Sequence, residues 1–193
     1  NGDGVVDLYT EMTFAHAYYA ADSDKTGTKY MHTIVGAFID GRKLISDAGG
    51  SALTDEQRMQ LMGYAKTIKT NWEKVIAEAA FKYAGSTYKD LEKLNTIVES
   101  NGDASKVFAD YAKHWSELKG FALGLQFNPA SPLQTEFANF HSLIADAPVL
   151  PDGTNAAAVD AYKADLVSAR DILRDAYGFA DANMGDSNGE CGW

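Results

Sequence analysis

The chain has 193 residues, 46% of them hydrophobic, and is long enough to bury one substantial core or two small ones. Its 17 basic and 27 acidic residues give a net charge of −10, which argues against nucleic acid and anionic lipid as partners. The longest apolar runs fall far short of the roughly 20 residues that a membrane-spanning helix needs, so no transmembrane segment is predicted.

The first seven residues, NGDGVVD, match part of a calcium-binding loop. Asn1, Asp3 and Asp7 fall where such a loop places oxygen ligands, with a glycine in the required turn. Thr10 occupies the position that normally carries a bidentate Glu, and the first ligand position would lie upstream. The alternative interpretation is a Gly- and Asp-rich turn that caps the first helix.

Apolar residues recur at helical spacing along most of the chain. These stripes predict helices within residues 8–19, 31–45, 61–79, 86–100, 108–125, 133–144 and 159–176. No segment shows sustained alternation of apolar and polar residues, so no sheet is expected. The predicted fold class is therefore all-α, an antiparallel helical bundle of about seven helices. It forms one domain over residues 1–180, followed by an irregular Gly-, Asn- and Asp-rich tail over 181–193.

Two sequence signals predict where helices begin. Thr54 and Gln57 have the spacing of a capping box, in which each side chain bonds the backbone amide of the other residue. Ser131 followed by Pro132 places a capping residue before a proline, which is favoured at the first helical position.

The segment YAKHWSELKGFALG combines several residues that could carry chemistry. His114 and Glu117 are three apart, so they share one helix face, and a Glu and a His at this spacing can bind a metal ion inside a bundle. Gly120 and Gly124 are expected to let another helix or a ligand approach closely. The alternative is a core histidine, with the glutamate paired to a basic residue.

Arg42 is a second anomaly, because it interrupts the apolar stripe between Phe38 and Ile45. A guanidinium in that position either extends to solvent or needs a carboxylate. We expect a buried ion pair, and the alternative is an anion-binding arginine. The candidate partners are Glu117, Glu73 and Asp40.

Two further aromatic residues complete the candidate set. His16 lies on an apolar line between Met12 and Tyr19, where a histidine is usually a hydrogen-bonded core residue. Trp115 lies next to His114 on the seam of its helix. Together with Arg42, they are the predicted ligand-binding residues of an inter-helix cleft. The chain has none of the common nucleophile, zinc-protease or phosphate-loop motifs, and this favours binding over catalysis.

Four segments carry a resemblance to a known family: YTEMTFAHAYYA, HTIVGAFIDGRKLI, NWEKVIAEAAFKYAG and HWSELKGFALGLQFNP. Over roughly residues 9–150 the chain resembles a bacterial extracytoplasmic lipoprotein family of unknown function, distantly related to the imelysin-like proteins. The resemblance implies an all-helical, imelysin-like bundle that is the C-terminal part of a longer protein. It also implies a periplasmic, outer-membrane-associated or extracellular location. His114 and Glu117 match the H-x-x-E part of the family's proposed metal motif, whereas Ala112 stands where the motif has Gly.

Three functions are therefore expected from the sequence. The first is an extracytoplasmic helical protein that binds a metal ion or small ligand in an inter-helix cleft, with a divalent metal or calcium as the candidate cofactor. The second is a structural or surface-assembly module without a ligand site, whose partners would be the upstream half of its precursor or other copies of itself. The third is an imelysin-type metal-dependent peptidase, which would need a third metal ligand and an activated water.

Overall fold

The computed structural model describes residues 15–25 and 27–180, and all regular structure in these ranges is helical. This confirms the all-α class and the helical bundle. The described part contains six α-helices rather than about seven: α1 Ala15–Lys25, α2 Tyr30–Asp47, α3 Asp55–Glu99, α4 Ser105–Gly124, α5 Phe137–Ile144 and α6 Ala156–Tyr177. One turn of 3-10 helix, Leu125–Phe127, follows α4. None of the described helices is both long enough and apolar enough to span a bilayer.

The difference in helix number arises at α3, which is continuous over 45 residues. The sequence predicts two helices here, within residues 61–79 and 86–100, with Gly85 between them. A glycine inside a helix costs only about 1 kcal/mol relative to alanine and keeps its amide hydrogen bond. The intervening residues Ala80, Phe81 and Ala84 are buried, so packing offsets that cost.

The two predicted helix starts have different outcomes. The capping box before α3 is confirmed: the Gln57 amide donates to Thr54 Oγ1 at 3.1 Å, and the Thr54 amide donates to Gln57 Oε1 at 2.9 Å. The prediction at Ser131 and Pro132 is wrong, because α5 begins only at Phe137. Ser131 is buried, and its hydroxyl instead contacts Tyr177 Oη at 3.1 Å and accepts from the Leu133 amide at 3.2 Å.

The chain divides into two compact units, one ending at Val75 and the other starting at Ile76. In the first unit α1 packs against α2, with Ala20, Ile34 and Ala37 buried. In the second unit the later part of α3 and helices α4, α5 and α6 contribute to one hydrophobic core. Its largest fully buried side chains include Phe81, Leu91, Tyr111, Leu118, Phe140, Leu166 and Leu173. The single domain over residues 1–180 stays a prediction.

The two glycines of α4 do not act as the sequence predicts. A Cβ atom added at Gly120 would meet nothing within 4 Å, and Gly120 is exposed. A Cβ atom at Gly124 would lie 3.6 Å from Ile76 Cγ2, which is an ordinary van der Waals distance. Neither glycine is therefore needed for close approach of another helix.

Candidate functional site

Several large apolar side chains of α2 face outward, although Ile34 on the same helix is buried. Phe38 is 58% exposed and Ile45 is 53% exposed, although both lie on the stripe that the sequence predicts to be buried. Between this stripe and the first part of α3 lies an open groove of about 360 Å³ within the first unit. Its lining is mostly apolar and consists of Ala37, Phe38, Gly41, Arg42, Ile45 and Ser46 from α2, and Leu61, Tyr64, Ala65 and Ile68 from α3.

Small residues set the shape of this groove. Gly41 is buried where α2 meets α3, and a Cβ atom there would lie only 3.3 Å from Leu61 Cδ1. Ala37 and Ala65 add short side chains to the two walls. The helices are thus in close contact at Gly41, while the short side chains leave space beside the larger Phe38.

Arg42 is the only charged residue among the described residues that line this groove. The sequence favours a buried ion pair for it, but the residue is exposed and makes no hydrogen bond or ion pair with any described residue. Asp40, one of the predicted partners, lies two residues away on α2 and lines a separate polar groove beside Lys43. Residues two apart on a helix do not face each other, which explains why this carboxylate does not reach Arg42.

His16 is also in the first unit, but it does not line the groove. Its Nε2 atom lies 2.6 Å from the backbone oxygen of Trp72, so the ring N–H donates to that carbonyl. The two rings stack, with centroids 4.2 Å apart. Burial lowers the pKa of His16, and the hydrogen bond to Trp72 opposes that shift. The arrangement agrees with the core-histidine interpretation, and a ligand-binding role for His16 stays a prediction.

In the second unit, His114 is held by a carboxylate that the sequence analysis did not select. Its Nδ1 atom lies 2.6 Å from Asp90 Oδ2, and the Asp90 side chain is only 10% exposed. The His114 ring also lies beside Tyr83, with centroids 5.7 Å apart. The sequence offers only one signal for Asp90, namely a charge at helical spacing between Thr87 and Leu94, two residues that the structure buries.

Glu117 lies next to this pair on the same face of α4. The Phe121 ring stacks on the Tyr83 ring. This contact and the one between His114 and Asp90 place α4 antiparallel to α3. Glu117 lies between His114 and Phe121 on α4, and Thr87 lies between Tyr83 and Asp90 on α3. The antiparallel arrangement therefore places Glu117 level with Thr87. Glu117 Oε2 and Thr87 Oγ1 are both buried and have no hydrogen-bond partner among the described residues.

This arrangement brings no further metal ligand to His114 and Glu117. The described residues contain no group of three or more His, Cys, Asp or Glu side chains placed to hold a metal ion. The metal-binding role of His114 and Glu117 therefore stays a prediction. The predicted calcium ligands Asn1, Asp3 and Asp7 lie outside the described residues.

Trp115 connects three helices of the second unit. Its Nε1–H donates to Tyr162 Oη at 2.8 Å and is 3.4 Å from the backbone oxygen of Ile144. Tyr162 in turn donates to the same Ile144 oxygen at 2.8 Å. The indole therefore joins α4 to the end of α5 and to α6, and its predicted ligand-binding role gains no support from these contacts.

The predicted site residues are thus distributed over both units. Arg42 and His16 belong to the first unit, whereas His114, Trp115 and Glu117 belong to the second. Comparisons of the chain with protein-family models, with curated proteins and with solved structures find no match. The resemblance to the imelysin-like family and the extracytoplasmic location remain predictions.

Proposed function

We propose that the protein binds a small, mainly apolar organic molecule in the groove between α2 and α3. The observation that carries this proposal is the groove itself, about 360 Å³ with predominantly apolar walls. Small-molecule sites are typically concave, mostly apolar and roughly 300–1,000 Å³ in volume, with a few polar groups that orient the ligand. The groove falls within that range, and Arg42 supplies one such group.

The energetic argument rests on the exposed aromatic and aliphatic side chains. Phe38 and Ile45 leave about half of their surface in contact with water. Covering apolar surface contributes roughly 25 cal/mol per Å², so a ligand that lies along these two residues gains affinity without any large rearrangement of the helices. Gly41 already brings the two walls together, which makes the groove largely preformed.

The first test uses phenylnaphthylamine, an uncharged apolar fluorophore that brightens when it leaves water. We expect saturable binding to the wild-type protein. Ala65 lines the groove and is exposed, so Ala65→Leu fills space in the groove without disturbing a core. This variant is expected to weaken the affinity about tenfold, which corresponds to roughly 1.4 kcal/mol.

The matched control is Ala161→Leu, the same substitution at an exposed position of α6 in the second unit. It should leave the affinity for phenylnaphthylamine unchanged. Circular dichroism melts of both variants check that folding is retained. An absence of saturable binding, or equal binding by wild type and Ala65→Leu, contradicts a ligand site in this groove.

A second candidate function is self-assembly through the same face of α2. Val35, Phe38, Arg42 and Ile45 are spaced three, four and three residues apart, and this order is the same in either chain direction. An antiparallel α2 from a second copy would therefore place Val35 opposite Ile45, and Phe38 opposite Arg42. The second of these pairs is suited to a cation–π contact, and such a self-complementary surface is what a two-fold dimer requires.

Sedimentation velocity distinguishes the two candidates. Self-assembly predicts a dimer whose fraction increases with concentration and which Phe38→Ser converts to monomer. Ala161→Leu serves again as the control that leaves the dimer unchanged. A wild-type protein that stays monomeric at every concentration contradicts self-assembly and leaves the ligand site as the function of the groove.

A further inference from the structure

Arg42 differs from the other arginines of the chain in forming no ion pair with a described residue. The sequence contains four arginines and 27 acidic residues. Arg58 pairs with Asp55, Arg170 with Asp171, and Arg174 with Asp175. Arg42 alone makes no ion pair or hydrogen bond with any residue of the described ranges 15–25 and 27–180.

The carboxylates of α2 are directed elsewhere. Asp47 accepts from Lys43 Nζ at 2.6 Å, and both residues line a polar groove that also contains Asp40. None of the described residues that line the apolar groove is acidic. Among the described residues, Arg42 is therefore the one charged residue that lines the groove and that a ligand there would meet.

We infer that the ligand of this groove is an organic anion, with an apolar body along Phe38 and Ile45 and a carboxylate or sulfonate bound by Arg42. This inference rests on the proposed function, because it assigns the ligand class of the same groove. The guanidinium presents five N–H donors in a planar fork that matches two oxygens of such an anion. Apolar walls keep water from one side of the contact and so strengthen it.

The ligand class follows from exclusion as well as from attraction. An amine or other cation in the groove would face the positive charge of Arg42, and no described lining residue offers a carboxylate to compensate. A neutral apolar molecule would gain from the walls but would leave the donors of Arg42 in water. Only an anion uses both features of the groove.

The test compares two fluorophores that share one ring system. Anilinonaphthalenesulfonate is phenylnaphthylamine with an added sulfonate, so the difference between their affinities isolates the negative charge. The variants are Arg42→Gln, which removes the charge and most donors, and Arg42→Lys, which keeps the charge without the fork. Lys43→Gln is the control, because it removes a neighbouring positive charge that does not line the groove.

We expect Arg42→Gln to weaken binding of the sulfonate about tenfold and to leave phenylnaphthylamine within about twofold of wild type. Arg42→Lys should fall between wild type and Arg42→Gln. Lys43→Gln should change neither probe by more than about twofold.

The possible failures are distinguishable. If phenylnaphthylamine binds in the groove but Arg42→Gln leaves the sulfonate unaffected, the anion assignment is overturned and the proposed function stands. Equal weakening of both probes by Arg42→Gln also overturns it, because Arg42 would then act through its aliphatic stem. If neither probe binds, both the ligand class and the proposed function are contradicted.

Discussion

Replacing Phe140 with Ala is expected to lower the free energy of unfolding by about 3–5 kcal/mol. Phe140 is completely buried, and the truncation would leave a cavity in the core of the second unit. It lies in α5, a helix of only eight residues. A helix this short is not stable by itself in water, so α5 depends on the contacts of Phe140 and Ile144 for its position.

Urea unfolding followed by circular dichroism measures this change, and Phe127→Ala is the matched control. Phe127 lies in the 3-10 turn after α4 and is 79% exposed, so its truncation should change stability by less than about 0.5 kcal/mol. Similar losses for the two variants would contradict the position of α5 against the core.

The second large effect concerns Asp90 and His114. We expect a double-mutant cycle built from Asp90→Ala and His114→Ala to give a coupling energy of about 1–2 kcal/mol. The contact between Asp90 Oδ2 and His114 Nδ1 is short, at 2.6 Å, and the carboxylate is nearly buried. Removal of either partner leaves a polar group in a low-dielectric contact without its bond, and this is the physical source of the coupling.

The control cycle uses Asp22 and Lys25, whose side chains are 42% and 71% exposed. Exposed pairs of this kind typically couple by less than about 0.5 kcal/mol. A coupling near zero for Asp90 and His114 would show that the carboxylate does not fix the ring. His114 would then be available for the metal role that the sequence predicts.

Helical periodicity was sufficient to predict the fold class, because a 3.6-residue apolar repeat is a local property of the chain. The capping box of Thr54 and Gln57 is equally local, and it is confirmed. Helix boundaries were less accurate where a distant residue decides them. Ser131 looks like a helix cap, but Tyr177, 46 residues away, contacts its hydroxyl. No sequence window contains both residues.

The candidate site shows the same division between local and distant information. Arg42 could be selected from the sequence because a charge interrupts an apolar stripe. Periodicity cannot show whether such a stripe faces a core or solvent, so the predicted buried pair was wrong. Asp90 lacks this signature, because Thr87 on its helix face is polar. Its importance depends on His114, which approaches from another helix.

The charge of Arg42 also affects whether the groove would bind a ligand with one negative charge more tightly than a ligand with several. The protein as a whole carries a net charge of −10, so every approaching anion is repelled in proportion to its own charge. Arg42 offers one positive charge in return. A monoanion with a large apolar body loses little on approach and gains fully from the groove. A compact polyanion meets several times that repulsion with only one guanidinium to offset it. If Arg42 binds the ligand as we propose, we therefore expect the groove to prefer singly charged, amphipathic molecules over polyanions.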